Sequence, residues 1–355
     1  MITASPCSRQ SGTGRPAAAW QHELAQAISD PVELCRTLGL DPQLALAARA
    51  AGASFALRVP RGFVRRMRSA DPADPLLRQV LPLAAELAVT EGFDADPLTE
   101  RTAMRAPGLL HKYQGRALLI TTPACAVHCR YCFRREFPYQ SAQGEGGRWR
   151  EAIAALERDA SISELILSGG DPLSLGNERL ARLTDELRHI KHLRRLRLHT
   201  RTPIVLPERV DDELLAWLRD LPWPCAIVLH CNHANEIDAS VRQATALLRS
   251  AGATLLNQSV LLAGVNDSAD ALCDLSETLW SAGVLPYYLH LLDRVSGSAH
   301  FEVSESHARE LMRRLAARLP GYLVPRLARE SPGATSKTVL AAGWDALHSP
   351  QQPGC

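Results

Sequence analysis

The chain has 355 residues, 46% of them apolar and 22% charged, which suits a folded globular protein of two domains or of one large domain with an appendage. Lys and Arg total 40 against 38 Asp and Glu, and a formal charge of +2 gives no electrostatic case for nucleic acid as a partner. Nine cysteines in a chain this long do not make a small secreted disulfide scaffold. They suggest a reducing compartment and leave spacing to decide which are ligands.

Residues 1–18 lack the apolar centre of a signal peptide and are expected to be disordered. No run approaches the ~18–20 apolar residues of a membrane span, so a cytoplasmic protein with no membrane partner is expected. Residues 19–105 read as a helical region, strandless from Trp20 to about Glu100. Leu24–Leu38, Pro42–Ala51 and Asp74–Glu91 carry apolar residues at three-and-four spacing. Asp-Pro pairs such as Asp30-Pro31 and Asp41-Pro42 punctuate it, each an N-cap followed by Pro in the first helical turn.

Residues 106–345 have another rhythm. Strands are predicted at Ala117–Thr122, Glu164–Ser168, Leu196–Thr200, Ala226–His230, Thr254–Val260 and Pro286–Leu291. Helices are predicted at Arg148–Arg158, Glu178–His189, Asp211–Leu221, Ala239–Ala251, Ala269–Ala282 and Glu305–Arg318. Such alternation makes an α/β protein with a parallel sheet, either open or curved into a partial (βα)6 TIM-like barrel. Residues 346–355 are expected to form a flexible tail. The basic run Lys191–Arg197 reads as a solvated helix end.

The first strand runs into Cys125-x3-Cys129-x2-Cys132. Crowded thiolates repel one another unless a soft metal neutralises them. Structural zinc asks for four ligands, and no fourth cysteine is near. A cubane iron–sulfur cluster tolerates three and leaves one iron open. Ser168-Gly169-Gly170-Asp171 closes the second strand, and glycines there permit close backbone approach. Arg201 follows the third strand, His230 ends the fourth and Gln258 lies in the fifth. Polar groups at successive carboxyl ends gather into one mouth in a barrel, which favours the barrel over a flat sheet.

The cysteine spacing, with Tyr131 before the last cysteine, resembles the radical S-adenosylmethionine signature. That resemblance implies a 4Fe-4S cluster whose open iron binds S-adenosylmethionine. It also implies a cofactor site including Tyr131, Ser168, Gly169, Gly170, Asp171, Arg201, His230 and Gln258, with the Gly-Gly-Asp segment receiving the methionyl ammonium.

From about Arg58 to Val339 the chain resembles the lysine 2,3-aminomutase family. The motifs are His111-Lys112-Tyr113-Gln114-Gly115-Arg116, Arg134 after the cysteines, Asp293, and Glu330-Ser331-Pro332-Gly333-Ala334-Thr335-Ser336-Lys337. By that resemblance Lys337 holds pyridoxal 5′-phosphate as a Schiff base, and Arg116 pairs with its phosphate, with Lys112 and Tyr113 as lesser contributors. Arg134 would take the substrate carboxylate, and Asp293 and Glu330 a distal ammonium, which argues for L-lysine over glutamate. The implied reaction carries the α-amino group of (S)-α-lysine to the β-carbon, giving (R)-β-lysine, with an external electron donor of flavodoxin or ferredoxin type.

Leu57–Phe63 and Asp71–Val80 resemble the branch that supplies (R)-β-lysine to a ligase modifying translation elongation factor P. The clustered cysteines of free-lysine aminomutases are not evident after Cys273. The helical region reads as packing on the barrel exterior, with a dimer surface, lid or docking site as alternatives, and a homo-oligomer is possible. Open rivals are a free-lysine aminomutase, a radical enzyme without pyridoxal, and an iron–sulfur electron carrier.

Overall fold

Ten strands lie side by side in chain order in one sheet: β1 (Met104–Ala106), β2 (Leu109–Tyr113), β3 (Arg116–Thr122), β4 (Glu164–Gly169), β5 (Arg195–Thr200), β6 (Cys225–Leu229), β7 (Thr254–Val260), β8 (Leu285–His290), β9 (Arg326–Arg329) and β10 (Thr338–Val339). They belong to a computed structural model that describes residues 18–139 and 149–341. The expected disorder before residue 18, the tail 346–355 and the predicted helix start at Arg148 lie outside the described residues.

Strands β3 to β9 are parallel, while β1–β2, β2–β3 and β9–β10 are antiparallel. Helices Arg150–Arg158, Asn177–Leu187, Asp212–Asp220, Ala239–Ser250, Ala269–Ser281 and Glu305–Arg318 fill the crossovers. Strands β1 and β10 do not pair, so the barrel is open. Six parallel strands were expected, and β9 makes a seventh. Its four residues, Arg326-Leu327-Ala328-Arg329, bury only two side chains and carry little strand signal.

Side chains alternate across the sheet. On the helix side, Leu165, Leu167, Leu196, Leu198, Ile227 and Leu229 join Leu180, Leu183, Leu214 and Leu248 in the main core. Each fully buried leucine contributes about 1.5–3 kcal/mol. On the other side, Ser168, His199, His230, Gln258 and His290 face the mouth. Arg197 also points inward and pairs with Glu164 at 2.7 Å. The Lys191–Arg197 run is therefore not a solvated helix end, since its last three residues open β5.

In the N-terminal region, Asp30 caps Val32 N–H, Asp41 caps Gln43 N–H, and Asp74 caps both Leu76 and Leu77 N–H. Two expectations fail there. Leu24–Leu38 is not one helix: Ala19–Ala25 and Pro31–Thr37 are separate, because Pro31 starts a new helix and Ile28 pairs with Val59. Asp74–Glu91 keeps only the turn Pro75–Arg78 and a 3-10 turn Ala84–Leu87. Pro82 removes a donor and disfavours helical backbone at Leu81.

This region packs directly on the cysteine loop as well as on the barrel. Ala126 and Val127 share a core with Trp20, Leu34, Phe63, Leu76 and Leu77. His128 N–H donates to Arg58 O, and Arg130 N–H to Gln79 O, both at 2.9 Å. Glu86 binds Arg130 through two hydrogen bonds (2.9 and 2.5 Å) and Arg135 through one (2.9 Å). The loop's other side is held by β4. Gly170 N–H donates to Thr122 O (2.7 Å) and Asp171 N–H to Ala124 O (2.8 Å). A Cβ on Gly170 would sit 2.3 Å from Ala124 O, and Gly169 has φ +120°. The close approach these glycines permit is to the cysteine loop itself. No helix among the described residues is long and apolar enough to cross a membrane.

Glu86→Gln strands two buried guanidinium groups, so it lowers stability by about 3–5 kcal/mol in urea denaturation. Arg188→Ala breaks exposed pairs with Asp185 and Asp220 and costs under about 1 kcal/mol. Gly170→Ala leaves far-UV circular dichroism unchanged and abolishes iron retention after anaerobic reconstitution. Gly176→Ala, with open space around its new Cβ, keeps both.

Candidate active site

Two cavities meet at the carboxyl ends of the parallel strands. One, of about 170 Å³, is lined by Cys125, Cys129, Cys132, Tyr131, the Ser168–Asp171 segment, Arg201, His290 and Asp293. The other, of about 150 Å³, is lined by Lys112, Tyr113, Arg116, Tyr287 and Tyr288. Phe133, Arg134, Ser168, His199, His230, Gln258, Glu330 and Lys337 line both, as a shared wall.

The three cysteines are free thiols. Burial, then nearby negative groups, pushes Cys125 well up, and burial with Cys129 takes Cys132 to about 11. Unaided, these two stay protonated at neutral pH, and a soft metal is what turns such thiols into ligands. Among the described residues no set of His, Cys, Asp or Glu converges on a point that would hold a single metal ion. A cubane offers each thiolate its own iron, so the donor set fits a three-cysteine cluster better than one zinc ion.

Four expected cofactor contacts bond to other groups of the protein in this structure. Asp171 accepts hydrogen bonds from the Thr200 hydroxyl (2.7 Å) and from the N–H groups of Arg201 (2.7 Å), Thr202 (3.0 Å) and Leu173 (3.0 Å). It therefore ties the end of β4 to the end of β5, and burial pushes its carboxyl up against those bonds. Arg201 turns to Cys129 Sγ (2.8 Å) and to the Tyr131 hydroxyl (2.6 Å). The Tyr131 hydroxyl is buried and also accepts from Asn232 (2.7 Å). Gly169 O accepts from the Tyr139 hydroxyl at 2.9 Å.

His230 and Gln258 remain on the cavity wall, with side-chain nitrogens 2.8 Å apart. Burial lowers His230 and His290 to about 3, and it holds His199 well below the ordinary histidine value. These three histidines are thus uncharged at neutral pH. His199 Nε2 is buried without a hydrogen-bond partner among the described residues.

Arg134 is clamped by Glu100 at 2.6 and 2.9 Å and reaches Ser168 Oγ at 3.2 Å. Burial opposes its charge, but Glu100 outweighs burial and raises Arg134 above the usual arginine range. Burial likewise opposes the Glu100 charge, and Arg134 with Lys112 (3.0 Å) outweighs it and holds the carboxyl down. A carboxylate ligand of Arg134 would therefore have to share it with Glu100.

The two expected ammonium-binding acids differ sharply. Glu330 hydrogen-bonds Lys337 Nζ and lies 3.4 Å from the Tyr113 hydroxyl and 3.7 Å from Lys112 Nζ. Burial opposes its ionisation, yet Lys337 and Lys112 hold it at about 2. Asp293 has no hydrogen bond or ion pair to its carboxylate among the described residues. Burial, then repulsion from Glu330, pushes it up to about 7. The Arg116 guanidinium lies over the Tyr113 ring, 4.9 Å from its centroid. A primary amine, an arginine and aromatic rings around one cavity suit a phosphorylated aromatic aldehyde.

Sequence reading missed Glu100, Tyr139, His199, Tyr288 and His290. The strand residues His199, Tyr288 and His290 were within reach. They sit two residues apart or at the inward register of His230 and Gln258, and counting by twos along β5 and β8 finds them.

A radical S-adenosylmethionine superfamily profile matches residues 119–274. The chain is 50% identical over 322 residues to an L-lysine 2,3-aminomutase of Escherichia coli (strain K12), covering 90% of this chain and 94% of that one. An L-lysine 2,3-aminomutase of Haemophilus influenzae is 45% identical over 325 residues, 91% of this chain and 95% of that one. One of Clostridium subterminale is 37% identical over 275 residues, 77% of this chain and 66% of that one. The chain belongs to the L-lysine 2,3-aminomutase family, radical S-adenosylmethionine isomerases that use a 4Fe-4S cluster, S-adenosylmethionine and pyridoxal 5′-phosphate.

Proposed function

We propose that the protein converts (S)-α-lysine to (R)-β-lysine by pyridoxal-assisted migration of the amino group. The observation that carries this reading is the shared wall. A cavity with three cysteines and the unpaired Asp293 adjoins a cavity with Arg116, and Lys337 lies on the wall they share. When bound, the cluster with S-adenosylmethionine supplies a hydrogen-abstracting radical, and pyridoxal phosphate delocalises electrons beside the migrating nitrogen.

Cys125, Cys129 and Cys132 would hold the cluster. Ser168, Gly169, Gly170, His230 and Gln258 would line the S-adenosylmethionine site, with Tyr131 and Asp171 shaping it from behind. Lys337 would anchor pyridoxal phosphate, with Arg116 on its phosphate and Tyr113 and Lys112 beside it. Arg134 would orient the substrate carboxylate, and its fork geometry suits that group. Asp293 would take the distal ammonium, because it is the acid here that no cation already neutralises. Glu330 would keep Lys337 at the cavity wall and add negative potential toward the same ammonium. The burial of this wall excludes water from reactive species.

We also propose that the β-lysine serves modification of translation elongation factor P. The support for this is the resemblance of the Leu57–Phe63 and Asp71–Val80 segments to that branch. An external flavodoxin- or ferredoxin-type donor would supply the electron. In cells deleted for this gene, elongation factor P is expected to lose its β-lysyl mass increment and regain it with the wild-type chain. A factor whose mass is unaffected refutes the pathway assignment.

Anaerobic protein given reductant, S-adenosylmethionine and (S)-α-lysine should yield (R)-β-lysine by chiral chromatography. Lys337→Ala should lose both product and the visible absorbance of bound pyridoxal phosphate. Turnover of glutamate in place of lysine overturns the reading. Asp293 binds a cation only when ionised, and its raised pKa puts that change near pH 7. So kcat/KM for lysine should fall about tenfold for each pH unit below about 7. Asp293→Asn should give a low value without that acid limb.

A further inference from the structure

Arg201 stands just past the end of β5, where a cofactor contact was expected, on the wall of the cysteine cavity, yet its side chain is only 5% exposed and its guanidinium is bonded to the cysteine loop. Its Nη1 meets Cys129 Sγ at 2.8 Å and the Tyr131 hydroxyl at 2.6 Å. Its Nη2 meets Gln79 Oε1 at 2.6 Å and Glu236 Oε2 at 3.0 Å. Gln79 is itself fixed: its amide nitrogen donates to Pro75 O (3.0 Å) and Glu236 Oε1 (3.1 Å). Among the described residues no side chain donates a hydrogen bond to the sulfur of Cys125 or Cys132.

We propose that Arg201 is a tuning residue that raises the reduction potential of the cluster through Cys129, with Glu236 setting how much of its charge the sulfur feels. This rests on the cluster assignment above. Hydrogen bonds to cluster sulfurs and the local charge set the potential of iron–sulfur centres. A charged donor is about twice as strong as a neutral one, and low dielectric magnifies it. Reduction adds an electron to the cluster, so a guanidinium at a ligand sulfur stabilises the reduced state. The cluster then accepts its electron from a weaker donor. Through Gln79, the N-terminal region becomes part of the redox centre.

The test is an EPR-monitored potentiometric titration of anaerobically reconstituted full-length protein, without S-adenosylmethionine, alongside equilibrium binding of S-adenosylmethionine. Arg201→Gln should shift the midpoint more negative by at least a tenfold change in the reduction equilibrium, about 59 mV for one electron. Arg201→Lys should shift it the same way by less. S-adenosylmethionine affinity should stay within threefold. A wild-type midpoint in either variant overturns the proposal, as does a tenfold loss of S-adenosylmethionine affinity at unchanged potential. Where neither Arg201 variant retains iron, Glu236→Gln decides: a more positive midpoint supports the proposal and an unchanged one overturns it. Wild-type protein that takes up no iron overturns the cluster assignment itself, a failure distinct from these.

Discussion

Guanidinium groups buried around the barrel mouth each need a carboxylate, and that need organises much of the molecule. Arg130 and Arg135 share Glu86, Arg134 has Glu100, and Arg201 has Glu236. An unpaired charge at these depths costs several kcal/mol, so these partners are not interchangeable with solvent. Glu86 and Glu100 come from the chain before the barrel. The N-terminal region is thereby bound to the mouth by charge as well as by the apolar core around Phe63 and Leu77. The same pairs hold the cysteine loop from behind while β4 holds it from the front. Apart from the Arg201 contact to Cys129 Sγ, the loop that carries three thiols is thus fixed in shape by contacts that do not use those thiols.

The six βα units were legible because a parallel strand covered by helices is a short β-rich run beside long amphipathic ones. Predicted and observed strands differ by no more than two residues at either end. The additional strands β1, β2, β9 and β10 were not legible. They are short or polar, and β10 buries neither Thr338 nor Val339. The N-terminal region misled in the opposite direction. Leu76, Leu77, Val80 and Leu81 are apolar at helical spacing because they all pack inward, but Pro82 ends the helix that spacing suggests.

In the site, residue identity was more legible than residue role. The cysteines, Lys337, Arg116, Arg134 and Asp293 line the two cavities. The tasks of Asp171, Gly170 and Arg201 could not be read from the chain, because each depends on a neighbour distant in sequence. Asp171 serves the backbone of β5, Gly170 makes room for Ala124 O, and Arg201 answers to Gln79 and Glu236. Glu100 carried no signal at all, as a lone acid ahead of the first strands. Only burial beside Arg134 and Lys112 gives it meaning.

Lys337 immediately precedes β10, the outermost strand, which pairs with β9 through two residues and leaves both exposed. Such edges open at far lower free energy than a core strand. The cysteine loop lies at the other extreme, pinned from two sides. Under the proposed assignment, the chain separates the two cofactor sites in space: the edge that bears Lys337 would loosen to take up an aldehyde without disturbing the cysteine loop. A protein damaged at one centre could be refitted there while the other stays assembled.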